Sequence, residues 1–287
     1  MKNIAVIGSL NADLMVQVPK LPVPGETLMG KSFEVLPGGK GMNQAVAAAK
    51  LGAHVMMCGM VGDDSNGTLL LEQLRKTGVD SSKVLKVEQM STGTALVTTS
   101  EEDNTIVVIP GANGCMDSHY VDSIKHSLKE ADMVLLQFEI PSETVYYIID
   151  YCFENDIPVM LDPAPAGEVK EEYLDKITYL ILNETELEGI FKLPKEEVLE
   201  KHSNKIIMTA GKDGAYFHNG ETLMHCKAKT VTCVDATGAG DAFHGAFAVA
   251  VLNGKTIEEA VLFANEVAAF TTTKKGAQSA MPDKDHF

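Results

Sequence analysis

Met133-Val134-Leu135-Leu136-Gln137 is followed by Ser142-Glu143-Thr144-Val145-Tyr146-Tyr147-Ile148-Ile149-Asp150-Tyr151-Cys152-Phe153-Glu154-Asn155, and then by Pro158-Val159-Met160-Leu161-Asp162. A short apolar run, an amphipathic helical segment and a second apolar run make one strand–helix–strand unit. Such a unit predicts parallel strands joined by a helical crossover. The same alternation runs outward in both directions. Further strands are expected at residues 3–8, 54–59, 179–182 and 205–209, and helices at 42–51, 67–76, 119–130, 185–191, 242–253 and 257–273. The fold class is therefore α/β, a mostly parallel sheet with helices on both faces. Ligands are expected beyond the carboxyl ends of its strands.

Two segments break this rhythm. Residues 13–18 with 27–35, and 91–99 with 105–110, read as strands without intervening helices. Glu101-Glu102-Asp103-Asn104 looks like the turn of a hairpin between the second pair. These pieces are expected to form a small β flap. No repeat or linker divides the chain, so residues 1–287 are read as one domain, with a flap of about residues 13–36 and 91–110 inserted in it.

Composition narrows the partners. With 45% hydrophobic residues in 287, the chain can bury a large core. Its formal net charge of −16 argues against nucleic acid or an anionic membrane as the main partner. Arg75 is the only arginine and lies in an amphipathic helix pattern, so an arginine finger is not expected. Cys58, Cys115, Cys152, Cys226 and Cys233 are odd in number and lack CxxC spacing, which reads as reduced thiols in or near the core. The first ten residues carry one lysine and an apolar run too short for a signal peptide. No later run reaches membrane-spanning length, and a cytoplasmic protein is expected.

Thr237-Gly238-Ala239-Gly240-Asp241 stands directly before a run of good helix formers. Small residues opening a helix leave its first N–H groups able to surround an anion, and the helix dipole favours negative charge there. Asp241 adjoins that cradle and has the chemistry to take a proton from an attacking hydroxyl. The local reading is phosphoryl transfer. The dipole is expected to keep Asp241 ionised, at some cost in basicity. Gly25-Glu26-Thr27-Leu28-Met29-Gly30-Lys31-Ser32 satisfies the P-loop pattern, but a proline-rich segment precedes it and an alternating one follows. The strand–loop–helix context that the pattern needs is missing, so Lys31 reads as an exposed strand charge.

Gly38-Gly39-Lys40-Gly41-Met42-Asn43-Gln44-Ala45 precedes an alanine-rich helix and is weak by itself. It becomes specific together with Asn11-Ala12-Asp13, Pro24-Gly25-Glu26-Thr27, Asn183-Glu184-Thr185-Glu186 and the Thr237–Asp241 turn. In this order and spacing the chain resembles the ribokinase-type carbohydrate kinases, the phosphofructokinase B family, from Lys2 to about Pro282. Runs such as Gln137-Phe138-Glu139-Ile140-Pro141, Asp162-Pro163-Ala164-Pro165-Ala166 and Lys275-Gly276-Ala277-Gln278 draw it toward the ribose-phosphorylating members.

The resemblance implies a Rossmann-like α/β body with a β-sheet lid, often paired with a second subunit's lid to give a homodimer. It implies ATP-dependent phosphorylation of a sugar's primary hydroxyl, the 5-OH for ribose, with Mg²⁺ and an activating K⁺. Asn11, Asp13, Gly39, Lys40, Gly41, Asn43, Glu139 and Asp241 would line the sugar pocket. Asp241 would be the base, with the amides of Gly238, Ala239 and Gly240 as the anion hole. Asn183, Glu186, Thr209, Gly211, Gly214, Gly240 and Asn265 would serve ATP and its Mg²⁺. Asp235, Thr237, Thr271, Lys274 and Gly276 would hold the monovalent cation, and Ala280 departs from a serine common in the family. Read alone, Asn11 and Asp13 form an Asx turn, Glu139 is a solvated loop acid, and Asn183 with Glu186 is a capping box. Met42 replaces a common alanine close to the sugar, or else fills the helix–sheet interface. A deoxyribose, fructose or nucleoside kinase, or a sugar-binding relative without catalysis, are the competing readings.

Overall fold

The structure, a computed structural model, describes residues 2–100, 103–165 and 169–287. The chain opens with strand β1 (Asn3–Ile7), β2 (Asn11–Gln17) and β3 (Ser32–Gly38), then helix α1 (Lys40–Lys50), β4 (His54–Gly62), α2 (Ser65–Lys76) and β5 (Asp80–Val87). β6 (Gly93–Thr99) and β7 (Asn104–Ile109) precede α3 (Ser118–Leu128), β8 (Met133–Gln137), α4 (Ser142–Glu154) and β9 (Val159–Asp162). The second half continues with α5 (Glu171–Leu174), β10 (Tyr179–Asn183), α6 (Glu184–Phe191), α7 (Lys195–Lys201), β11 (Ile206–Thr209), β12 (Ala215–His218) and β13 (Leu223–Cys226). It closes with α8 (Ala239–Leu252) and α9 (Ile257–Thr271).

Among the described residues nine strands form one sheet in the order β13-β12-β11-β10-β9-β8-β1-β4-β5. Every neighbouring pair from β11 to β5 is parallel, and only the β11–β12 and β12–β13 pairs are antiparallel. The inner parallel strands are apolar along their middles because helices cover both faces. On one face α1, α2, α8 and α9 enclose a core built on Phe217, Phe247, Met42 and Met57. On the other, α3, α4, α6 and α7 enclose Leu136, Ile148, Leu182 and Leu199.

The two flap segments join into a second, four-stranded sheet of order β3-β2-β6-β7. Each segment is an antiparallel pair, and β2 and β6 unite them in parallel register, Asn11 opposite Gly93 through Gln17 opposite Thr99. This sheet leaves the core at the carboxyl end of β1, a central strand, because only Gly8, Ser9 and Leu10 separate β1 from β2.

Three local expectations are revised. Residues 27–31 are not strand, and Lys31 precedes β3 rather than lying in it. β5, β12, β13, α5 and α7 appear in addition to the expected elements. Cys58, Cys152 and Cys226 are buried thiols, whereas Cys233 is exposed. Met42 is fully buried in the helix–sheet core and does not face the cleft. Arg75 lies exposed on α2, as its pattern suggests. Glu101 and Glu102 of the expected hairpin turn, and Ala166, lie outside the described residues.

Candidate active site

The parallel strands end in polar residues at one rim of the sheet. Asn11 follows β1, Glu139 follows β8, Asp162 closes β9, Asn183 closes β10 and Thr209 closes β11. These five positions lie outside the carboxyl ends, where a doubly wound sheet places its ligands. The turn before α1 crosses the same rim. A Cβ on Gly41 would lie 2.7 Å from the backbone of Gly8 and Ser9, so only glycine lets α1 begin this close to β1.

Glu139 is not a free loop acid. Its carboxylate accepts from Ser9 Oγ, from the Lys40 backbone N–H at 3.1 Å and from Asn11 Nδ2 at 3.4 Å. Asn11 is fixed in turn by Asn113 Nδ2, 2.7 Å from its Oδ1. Asp13 sits against Gly38, where any Cβ would strike its carboxylate. Burial, then the negative charges of Glu139 and Asp241, push the Asp13 carboxyl up to about 7.

Asp241 lies in the first turn of α8, behind Gly238, whose φ of 74° is open to glycine and strained for other residues. Asn43 Nδ2 donates to Asp241 at 2.9 Å and Gln44 Nε2 at 3.4 Å. Lys40 Nζ stands 4.0 Å from Asp241 and 3.3 Å from Asp162. Burial works against the Lys40 charge, yet Asp162, Asp241 and Glu139 together raise its pKa. For Asp241 burial dominates and raises the pKa, opposed by Lys40 and reinforced by Asp162. Desolvation thus strengthens Asp241 as a proton acceptor, against the lowered basicity expected from the helix dipole.

Among the described residues the amides of Gly238, Gly240 and Asp241 make no hydrogen bond. The Ala239 amide, expected in the anion hole, donates to the Ala236 carbonyl at 3.2 Å instead. Nothing stands within 4 Å of a Cβ built on Gly240, so that side of the turn is open.

Of the residues expected to serve ATP, Asn183, Glu186, Thr209, Gly211 and Gly214 gather at the ends of β10 and β11. Asn183 and Glu186 form a reciprocal capping box at 2.9 Å in each direction, and Asn183 is in register with Thr209. The Gly211–Gly214 turn joins β11 to β12, with Ala210 N donating to Gly214 O at 2.7 Å. Asn265 of α9 is buried and donates to Cys226 O, the same carbonyl that a Cβ on Gly214 would strike.

The expected cation residues are only partly brought together. Asp235 accepts from the Thr237 amide at 2.9 Å, the Thr237 hydroxyl at 2.6 Å and the Gly276 amide at 2.8 Å. Burial works against its charge, but these hydrogen bonds hold the carboxyl below the usual range. Thr271 turns its hydroxyl back to Val267 O, and Lys274 lies over the Phe270 ring. Only their backbone carbonyls are left for an ion. Ala280 is buried. No group of three His, Cys, Asp or Glu side chains forms a metal site among the described residues.

Several members were not singled out from sequence. Gln44 Nε2 also donates to Asp162 at 2.9 Å, and Gln137 Nε2 donates to Gln44 Oε1 at 2.8 Å. Gln278 Nε2 donates to Asn43 Oδ1 at 2.9 Å, and Gln73 Nε2 to Gln278 Oε1 at 3.3 Å. His244 is buried three residues beyond Asp241. Asp162 offered a signal: like Glu139, it is an acid at the end of an apolar run followed by proline.

Fold and site together define a class: a doubly wound α/β protein with a small second sheet, whose strand ends meet a helix start carrying bare amides and a buried carboxyl. Residues 1–284 match the family described as pfkB family carbohydrate kinase, and the chain belongs to that family. It is 45% identical over 286 residues to the ribokinase of Bacillus subtilis (strain 168), covering 99% of this chain and 98% of that protein. Salmonella typhi deoxyribokinase is 37% identical, with 99% and 97% covered. The structure of Arabidopsis thaliana ribokinase complexed with ribose and ATP superposes with a TM-score of 0.91 at 34% identity, covering 99% of this chain and 96% of that one.

Proposed function

We propose that this chain transfers the γ-phosphoryl group of ATP to the 5-hydroxyl of D-ribose. The observation that carries the reading is Asp241: a buried carboxyl of raised pKa, hydrogen-bonded by Asn43, beside the unpaired amides of Gly238 and Gly240. The B. subtilis relative and the ribose and ATP of the Arabidopsis structure support the substrate pair.

Asn11, Asp13, Asn43 and Glu139, with the backbone of Gly39 and Gly41, bind and orient the sugar hydroxyls through paired donors and acceptors. Asp241 accepts the proton of the attacking hydroxyl, and its raised pKa suits a late proton transfer in a loose transition state. The Gly238 and Gly240 amides carry equatorial phosphoryl charge with Lys40. Thr209, Gly211, Gly214 and Asn265 seat the nucleotide. Magnesium, when bound, supplies charge neutralisation on the phosphates; the oxygen donors of Asn183 and Glu186 suit it through water. Asp235, held ionised by Thr237 and Gly276, with the carbonyls of Thr271 and Lys274, suits a potassium ion. The second sheet acts as a lid over the sugar and as the contact of a homodimer. A cytoplasmic location accords with the described residues, in which no helix is long and apolar enough to cross a membrane.

The test is ADP release from Mg·ATP with D-ribose, 2-deoxyribose, fructose and nucleosides, in potassium and in sodium buffers of equal ionic strength. Ribose is expected to turn over fastest, and potassium to accelerate it. Asp241→Asn is expected to lower kcat by about 10²–10⁴-fold with ribose binding retained. A near-normal kcat in that variant would remove Asp241 from its role, and preference for deoxyribose would move the substrate to that of the Salmonella relative.

A further inference from the structure

His244 offers two hydrogen-bond positions, and both meet acceptors. Nδ1 lies 2.7 Å from the carbonyl oxygen of Gly240, in the turn before Asp241, and Nε2 lies 3.2 Å from the carbonyl oxygen of Ile181 on β10. A carbonyl oxygen only accepts, and a neutral imidazole carries only one N–H. With the ring buried, no bulk water rescues the second contact, and a lone pair facing a buried carbonyl is costly. Asp162 Oδ2, at 4.0 Å from Nε2, and Asp241, one turn back on α8, face the ring with negative charge. Lys40 of α1 is the opposing cation, shared with the same two carboxylates.

We propose that His244 is a positioning residue, held as an imidazolium that donates from both ring nitrogens. One bond fixes the peptide that presents Asp241, and the other fastens it to the strand ending in Asn183. The helix bearing the base and the strand bearing the nucleotide cap are thereby held at one spacing. The effect on turnover rests on Asp241 being the base, but the state of the ring does not.

Two measurements test the proposal on the full-length protein. Ring ¹⁵N spectra at pH 7.5, with the His244 signals assigned by their loss in His244→Gln, are expected to show both nitrogens protonated. A neutral-tautomer signature, with one bare nitrogen, would overturn the proposal. His244→Phe keeps the ring volume and removes both donors. It is expected to lower kcat about tenfold with the ribose KM within about twofold, while His244→Gln, retaining one donor, recovers part of the loss. Unchanged kcat in a folded His244→Phe would also overturn the positioning role. If Asp241→Asn kept turnover while the spectra showed a doubly protonated ring, the assignment of the base would fail and the imidazolium would stand.

Discussion

Asp13 shows how a buried carboxyl, proposed here to grip sugar hydroxyls, costs stability. Its carboxyl is raised to about 7 by burial and by the charges of Glu139 and Asp241, against 3.8 for a free side chain. The folded protein therefore keeps a proton there that the unfolded chain has released. Stability from this group is complete below about pH 4 and is lost as the pH climbs through about 7. Asp13→Asn is expected to flatten that part of the stability profile and to raise Tm at pH 7.5. The same change removes an acceptor for sugar hydroxyls, so the ribose KM is expected to rise. A Tm–pH curve identical to that of the parent protein would show that Asp13 ionises normally.

At the level of elements, the start of α6 carries two demands at once. Asn183 and Glu186 satisfy each other's backbone amides, and the proposed magnesium role falls on the same pair. Asn183→Ala breaks the box and is expected to lose ~1 kcal/mol of stability. Glu186→Gln keeps an acceptor for the Asn183 amide while removing the charge. Thermal unfolding is expected to be unchanged in Glu186→Gln while the magnesium needed for half-maximal rate increases; an unaltered requirement would leave only the cap. Elements were legible where burial writes a pattern. The strand Met133–Gln137 has the bounds its apolar run predicts, because a parallel strand covered on both faces stays apolar up to its carboxyl end. β5 was not, since its Asp-Ser-Ser-Lys opening belongs to an edge strand with exposed positions. β12 and β13 escaped for a related reason: each has four residues and includes a histidine. Asp241 was legible because Gly238 and Gly240 announce a backbone cradle. Gln44, Gln278 and His244 were not, because their partners come from distant parts of the chain and no local spacing encodes them.

Across the whole molecule, the small sheet exposes an unusual edge. Ile106, Val107, Val108 and Ile109 of β7 are all between 43% and 58% exposed, at the outer strand of a four-stranded sheet. A free apolar edge invites pairing, and a second copy of the lid is the proposed cover. Light scattering is expected to give a dimer, and Ile106→Lys with Val108→Lys, two neighbours on one face of β7, a monomer. A monomer in the parent protein at working concentration would refute that contact.

The chain of amides from Gln73 through Gln278 and Asn43 to Asp241 has a direction. Each –NH₂ points toward the carboxylate and each carbonyl away from it, so the three dipoles add at Asp241 and polarise one another. Asp241, the proposed base, is thus in electrical contact with helix α2 through segments some two hundred residues apart in sequence. Whatever disturbs the packing of α2 against the segment carrying Gln278 changes the field at Asp241 without touching either substrate.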